Sequence, residues 1–171
     1  MNPVRIESIQ LFSGLDASEI ALVTPIFSER SFLARTKVIT EGETGEEMFV
    51  LVSGKVRIVK SMILPEVDIA SLAGKDPSKV LATLTGDAHP FFGEMGLVSD
   101  SPRSATVETL EHSRFLVTDR ARFFALAASE PALGCKLLSA LCTRLAEVVR
   151  STNGEVMKLT TALALLLSGR G

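Results

Sequence analysis

Short apolar runs separated by turn-forming residues dominate the chain between residues 36 and 118. Met48–Val52 is entirely apolar, and after the turn signal Ser53–Gly54 the segment Lys55–Lys60 alternates in part between polar and apolar residues. Other runs of strand character are Val38–Ile39, Val80–Leu84, Ala105–Glu108 and Arg114–Val117. A succession of short strands punctuated by glycines is typical of β-barrels and jelly rolls. We therefore predict a mainly β protein.

The two flanks carry helical signals instead. Residues 1–35 are predicted to be helical with turns, because Asp16 can cap a helix and Glu19, three residues on, completes a capping box. Near the other end, Asp119 is a suitable N-cap for one helix, and Pro131 suits the first turn of a second. The pattern therefore predicts helices on both sides of the β segment.

The second C-terminal helix is predicted to be amphipathic. Its apolar residues recur at the spacing of one helix face, at Leu137, Leu138, Leu141, Leu145 and Val148. Asn153–Gly154 is expected to stop or kink this helix, since glycine is a poor helix former. The tail 154–171 is helix-prone and strongly apolar over 156–167, and an apolar surface of this kind often marks an interaction site.

The length of 171 residues suits one domain with its own core. Its predicted parts are a helical segment (1–35), a β-roll (36–118) and two closing helices (119–153). Residues 61–79 lack a clear pattern and contain two prolines, so they are predicted to form an excursion between two strands.

Composition and charge narrow the function classes. Apolar residues make up 46% of the chain and charged residues 22%, as in ordinary globular proteins. The formal net charge of -2 gives no general attraction to nucleic acids or anionic membranes. No secretion signal or membrane-length apolar run is present, so we expect a cytoplasmic protein. The two cysteines, Cys135 and Cys142, are too far apart on one helix to bridge each other and are expected in its core.

The stretch from Phe91 to Val107 carries the candidate chemistry. Glu94 follows Gly93, and Arg103 lies nine residues further on. A guanidinium pairs with phosphate oxygens in bidentate fashion, whereas an ionised carboxylate accepts hydrogen bonds from hydroxyl groups. This acid and this arginine are therefore suited to hold the two ends of one small anionic ligand.

Phe92-Gly93-Glu94, followed by Pro102-Arg103-Ser104-Ala105, resembles the phosphate-binding cassette of the cyclic nucleotide-binding domain family. The resemblance covers most of the chain, about residues 11–153. It implies an eight-stranded β jelly roll with N-terminal helices and two C-terminal helices that close over the ligand. It also implies that Arg103 pairs with the exocyclic phosphate oxygens of cAMP or cGMP, and that Glu94 accepts the ribose 2′-hydroxyl.

Further ligand contacts follow from the same resemblance. In the cassette the implied ligand-binding residues are Phe92, Gly93, Glu94, Met95, Arg103, Ser104 and Ala105. On the last closing helix the candidate contacts to the base, by position, are Arg150, Ser151, Thr152 and Asn153. The residues leave one alternative open, in which Glu94 and Arg103 pair with each other and bind no ligand.

No arrangement of catalytic residues stands out. The sequence contains no GxSxG, P-loop, HExxH or CxxC motif. The two histidines, His89 and His112, do not form the clustered metal ligands that a jelly-roll metalloenzyme such as a cupin needs. We therefore expect neither enzymatic activity nor a metal centre.

The most specific hypothesis is a regulatory sensor of cyclic nucleotides, with cAMP favoured over cGMP, that acts through a conformational change of its C-terminal helices. The alternative is a degenerate domain of the same fold that serves only protein–protein interaction or dimerisation. We expect the output to pass through an unidentified protein effector or through a homodimer formed by the C-terminal helix. Because residues 154–171 are too few for a helix-turn-helix domain, we expect no direct binding to nucleic acid. We also expect no binding to a membrane.

Overall fold

The structure is a computed structural model, which describes residues 9–61 and 78–168. The excursion expected over 61–79 falls, apart from its ends, outside the described residues. Its first residue, Ser61, ends one strand, and Ser78 begins the next.

Two four-stranded antiparallel sheets form the centre of the described fold. One sheet has the strand order β1-β8-β3-β6 and the other β2-β7-β4-β5. The strands are β1 (Ser28–Phe32), β2 (Lys37–Ile39), β3 (Glu47–Ser53), β4 (Lys55–Ser61), β5 (Ser78–Thr85), β6 (Phe91–Phe92), β7 (Thr106–Thr109) and β8 (Ser113–Asp119). The predicted eight-stranded jelly roll is confirmed.

Helices precede and follow the roll in sequence, and one short helix lies within it, between β6 and β7. They are α1 (Ala17–Val23), α2 (Glu94–Val98), α3 (Arg120–Ser129) and α4 (Pro131–Ser168), with short 3-10 turns at Gln10–Phe12, Thr24–Ile26 and Gly86–Ala88. Asp16 accepts hydrogen bonds from the backbone of Ser18 and Glu19, and the reciprocal bond of the capping box is present. Asp119 caps α3 through the backbone N–H of Arg122. These two predicted helix starts are confirmed, and α4 begins at Pro131, as predicted.

Two short strands escaped the sequence analysis. Residues 1–35 are not all helical, because Ser28–Phe32 forms β1 and pairs with β8, so the roll begins at residue 28 rather than 36. Three of its five residues are exposed and polar, and such an edge strand has no apolar alternation to reveal it. The other strand, β6, has only two residues and is defined by its pairing with β3.

The last helix does not stop at Asn153–Gly154. α4 runs unbroken over 38 residues, so the expected boundary between closing helix and tail is not a helix end. Glycine keeps its backbone donor, and its cost of about 1 kcal/mol in a helix interior is small enough for the helix to continue. No described helix is long and apolar enough to cross a membrane.

Two apolar clusters fill the interior. The larger one lies under the helices and includes Phe12, Phe123, Leu133, Leu137 and Leu141. The smaller one lies between the sheets, where aromatic rings meet at centroid distances of about 6 Å: Phe49, Phe92 and Phe115. Cys135 and Cys142 belong to neither cluster and are exposed, because the buried face of α4 is formed by the leucines that alternate with them.

Candidate functional site

A cavity of about 390 Å³ lies between the β2-β7-β4-β5 sheet, the α2 segment and one face of α4. All seven predicted cassette residues line it: Phe92, Gly93, Glu94, Met95, Arg103, Ser104 and Ala105. The sheet contributes an apolar wall that includes Ile39, Ile58, Leu81, Ala82 and Val107. The cavity therefore combines a charged end with a large apolar side.

Gly93 forms the turn from β6 into α2 and brings the backbone close to Arg103. Its φ of 86° lies in the left-handed region that favours glycine. A Cβ atom there would lie 2.8 Å from the carbonyl oxygen of Glu47 and 3.1 Å from Nη1 of Arg103. Glycine at this position therefore allows both the turn and the close approach of the guanidinium.

The backbone of Arg103 is held against the loop that follows β2. Its N–H donates to the carbonyl oxygen of Glu43 at 2.9 Å, and its own carbonyl oxygen accepts from the N–H of Gly42 at 3.0 Å. The guanidinium then lies between two further glycines, since Cβ atoms at Gly45 and Gly96 would come within 2.7 and 2.6 Å of it. Gly45 and Gly96 could not be identified from the sequence, because no local pattern marks a glycine that makes room for a distant side chain.

The Arg103 side chain is buried without an opposite charge beside it. The residue is only 9% exposed, and Nη1 donates to the carbonyl oxygen of Gly93 at 3.2 Å. Among the described residues its guanidinium makes no ion pair, so it is not paired with Glu94. Burial lowers the pKa of Arg103, although the more distant charges of Glu47 and Glu94 act in the opposite direction. Such a buried cation is costly unless an anion joins it.

Glu94 is the second buried charge of the cavity. It is the first residue of α2 and is 8% exposed. Burial raises the pKa of its carboxyl, and the charges of Arg144 and Arg103 offset this effect only in part. Arg144 belongs to α4, so the helix that covers the cavity also places a positive charge near the acid. The sequence analysis did not identify Arg144.

The α4 face over the cavity follows the helical repeat. Its lining residues are Arg144, Glu147, Val148, Ser151, Thr152 and Glu155. Ser151 and Thr152 were expected there, whereas Arg150 and Asn153 are exposed and do not line the cavity. At 3.6 residues per turn, neighbours in sequence point about 100° apart, so four consecutive residues cannot share one face. The packing of α4 sets which face of the helix points to the cavity, and this determines which of the four residues line it.

Two lysines make polar contacts at the edges of the cavity. Lys60 Nζ donates to the carbonyl oxygen of Ser104 at 2.7 Å and to Glu41 at 3.0 Å, which fixes a second cation beside the cassette. Lys79 of β5 pairs with Glu155 of α4 at 2.6 Å on the exposed rim. The cavity can thus receive a small ligand with one anionic group, a hydroxyl group and a flat apolar part.

Comparison with known proteins agrees with this geometry. The family model of the cyclic nucleotide-binding domain matches residues 29–130. A CRP-like cAMP-activated global transcriptional regulator of Mycobacterium tuberculosis is 28% identical over 149 residues, covering 87% of this chain and 59% of the relative. A cAMP-dependent protein kinase regulatory subunit of Mycosarcoma maydis is 29% identical over 147 residues, covering 86% of this chain and 24% of the relative.

Among solved structures, the catabolite activator protein of Thermus thermophilus superposes with a TM-score of 0.73 at 25% identity, covering 88% of this chain and 63% of that one. The chain thus spans less than two thirds of each of these three proteins. The match of the family model covers more than half of the chain, including the cassette and both sheets. The chain belongs to the cyclic nucleotide-binding domain family.

Proposed function

We propose that this domain binds a cyclic mononucleotide, with cAMP favoured over cGMP, and acts as a regulatory sensor. The observation that carries the proposal is the buried Arg103 guanidinium, which has no ion-pair partner among the described residues. A phosphodiester matches it in charge and in geometry, because planar guanidinium donors pair with two phosphate oxygens. The preference for cAMP rests on relatives whose names state activation by cAMP or dependence on it.

The ligand would lie with its phosphate at Arg103 and its ribose at Glu94. Glu94 would accept a hydrogen bond from the 2′-hydroxyl, and backbone N–H groups around Gly93, Ser104 and Ala105 would donate hydrogen bonds to the phosphate. Phe92 and Met95 would form part of the pocket wall. The base would then extend between the apolar sheet wall and α4, where Ser151 offers a hydroxyl group.

The C-terminal helices would transmit binding, because α4 forms one wall of the cavity. A ligand shifts a conformational equilibrium only when it binds the two states with different affinity. A base in contact with Val148, Ser151 or Thr152 would favour the position of α4 that keeps this wall closed. The output would reach an unidentified protein effector through α3 and α4.

We also propose a homodimer through α4. Along one face of α4, apolar and small side chains repeat alternately every three and four residues, and Thr152 among them also lines the cavity: Leu145, Val149, Thr152, Val156, Leu159, Leu163 and Leu166. Val149, Val156, Leu159, Leu163 and Leu166 are each more than half exposed. This is the heptad pattern of a coiled coil, with mostly valine at one seam position and mostly leucine at the other, which favours two parallel strands.

Light scattering of the purified protein tests the dimer. The wild type is expected at twice the monomer mass, and the double substitution Leu159→Lys with Leu163→Lys is expected at the monomer mass. Leu165→Lys is the matched control, because Leu165 is 67% exposed but lies off the seam. A monomeric wild type, or a double variant that stays dimeric, would contradict the coiled coil.

Calorimetric titration with cAMP, cGMP, linear 5′-AMP and a cyclic dinucleotide tests the ligand. We expect cAMP to bind with about micromolar affinity, which corresponds to roughly -8 kcal/mol, and to bind more tightly than the other three. Absence of heat and of thermal stabilisation at millimolar ligand would reject the sensor and favour the degenerate, interaction-only domain. Tighter binding of cGMP or of the dinucleotide would keep a sensor but reject cAMP as its ligand.

A further inference from the structure

Arg120, the first residue of α3, reaches back to the end of the cassette helix α2. Its Nε donates to the carbonyl oxygen of Leu97 at 3.0 Å, and its Nη2 donates to that of Gly96 at 2.9 Å. Nη2 also donates to the carbonyl oxygen of Ser99, just after α2 ends. One guanidinium therefore binds three carbonyl oxygens, those of Gly96, Leu97 and Ser99, at the end of the segment that begins with Glu94.

Two carboxylates hold the same guanidinium from the solvent side. Nη1 pairs with Asp100 and lies 3.6 Å from Glu46. The side chain of Arg120 is 23% exposed, whereas that of Asp100 is 91% exposed. The hydrogen bond that Arg120 donates to the carboxylate of Asp100 raises the pKa of Arg120. These contacts fix the orientation of the guanidinium plane, so its hydrogen bonds to the carbonyl oxygens have fixed directions.

The α2 segment depends on such an external anchor. It has only five residues, and so short a helix is not stable by itself in water. The last carbonyls of any helix lack partners within the helix, and they carry partial negative charge that a cation stabilises. Arg120 satisfies these carbonyls with the donors of a residue that belongs to another helix.

We infer that Arg120 is a positioning residue that couples the nucleotide site to α3. The segment it holds presents Glu94 to the cavity and leads on to Arg103, while its own backbone starts the helix pair that leaves the roll. A ligand-induced shift of α2 must therefore either carry the start of α3 with it or break these bonds. The inference rests on the proposed function, because it takes the ligand to be a cyclic nucleotide held by Glu94 and Arg103.

Hydrogen exchange of the full chain, measured with and without saturating cAMP, tests this role. In the wild type we expect cAMP to slow amide exchange in the cassette and also in Arg120–Ser129. In Arg120→Ala we expect the cassette still to respond, with an affinity loss of roughly 2- to 30-fold, and the response of α3 to disappear. Loss of the α3 response with a retained cassette response is a result that a merely structural role would not give.

Two further variants keep the test decisive. Arg122→Ala removes an equal charge from the same helix, and its partner is Asp119 rather than α2, so its α3 response should remain. Asp100→Asn removes the charge of an Arg120 partner whose side chain is 91% exposed, so we expect the variant to fold. It should weaken the α3 response, and it replaces Arg120→Ala in the test if that variant fails to fold. An unchanged α3 response in Arg120→Ala, or in Asp100→Asn where Arg120→Ala does not fold, would overturn the inference. A wild type that binds no nucleotide would instead reject the proposed function itself.

Discussion

Replacing Glu94 with glutamine should stabilise the ligand-free protein and lower its affinity for the ligand. The substitution keeps the shape of the side chain and removes its charge. Burial raises the pKa of Glu94 above its ordinary value of 4.5, which means that the folded state disfavours the ionised form. At neutral pH the ionised carboxylate therefore costs the folded state free energy that a neutral glutamine does not.

The pH dependence gives the sign of this effect. Because the folded-state pKa lies above the unfolded one, the folded state binds more protons between the two values, and stability falls as pH rises through that window. The stabilisation by Glu94→Gln should be complete above the folded-state pKa and should vanish below pH 4.5, where wild-type Glu94 is protonated in both states. Urea unfolding followed by circular dichroism at a series of pH values measures it.

The loss of cAMP affinity expected for Glu94→Gln follows from the strength of the hydrogen bond to the ribose. A hydrogen bond to a charged acceptor contributes about 1.5–3 kcal/mol and one to a neutral acceptor about 0.5–1.5 kcal/mol. Replacing the charged acceptor of the ribose hydroxyl by a neutral one should weaken cAMP binding by about 1–1.5 kcal/mol, roughly 5- to 12-fold. Calorimetry at neutral pH measures this loss.

Glu155→Gln is the matched control for the stability measurement. Its hydrogen bond with Lys79 lowers the pKa of Glu155, so neutralising this rim carboxylate should not stabilise the protein at neutral pH. A Glu94→Gln variant less stable than the wild type at pH 7 would refute the reasoning from burial. An unchanged cAMP affinity in that variant would refute the role of Glu94 as acceptor of the ribose hydroxyl.

Two glycine substitutions test the close packing around the guanidinium and the continuity of α4. Gly96→Ala should destabilise the fold by about 1–3 kcal/mol and weaken cAMP, because its Cβ would lie 2.3 Å from the carbonyl oxygen of Gly45 and 2.6 Å from Arg103 Nη1; unchanged unfolding and binding would contradict this packing. Gly154→Ala should stabilise the protein by about 1 kcal/mol, because its Cβ meets nothing within 4 Å and the residue lies inside a helix; a loss of stability in thermal unfolding would show that α4 is interrupted there.

The helix starts and most strands could be predicted because their signals are local. Asp16 with Glu19, and Asp119, satisfy backbone donors within their own first turns, so a few neighbouring residues determine each cap. The polar edge strand Ser28–Phe32 could not be predicted, since it exists through its pairing with β8, far along the chain. The continuation of α4 through Gly154 was missed because a glycine is only a weak local penalty.

The cassette was more predictable than the rest of the cavity. Phe92 to Met95 and Arg103 to Ala105 are two short segments close together in the sequence, and all of their residues line the cavity. The other contributors come from distant elements, and their presence depends on tertiary packing: Gly45, Lys60, Arg144 and Arg120. The four candidate base contacts on α4 were narrowed to two only by the phase of the helix.

The central claim is that Arg103 binds the phosphate of a cyclic nucleotide, and one calorimetric comparison tests it most directly. Removing one partner of a buried, hydrogen-bonded charge pair costs about 2–5 kcal/mol, so Arg103→Ala should weaken cAMP roughly 30- to 5,000-fold. Arg57→Ala is the control, because Arg57 is 44% exposed and pairs with Glu108 on the same sheet. Wild-type affinity in a folded Arg103→Ala variant, or an equal loss in Arg57→Ala, would contradict the account.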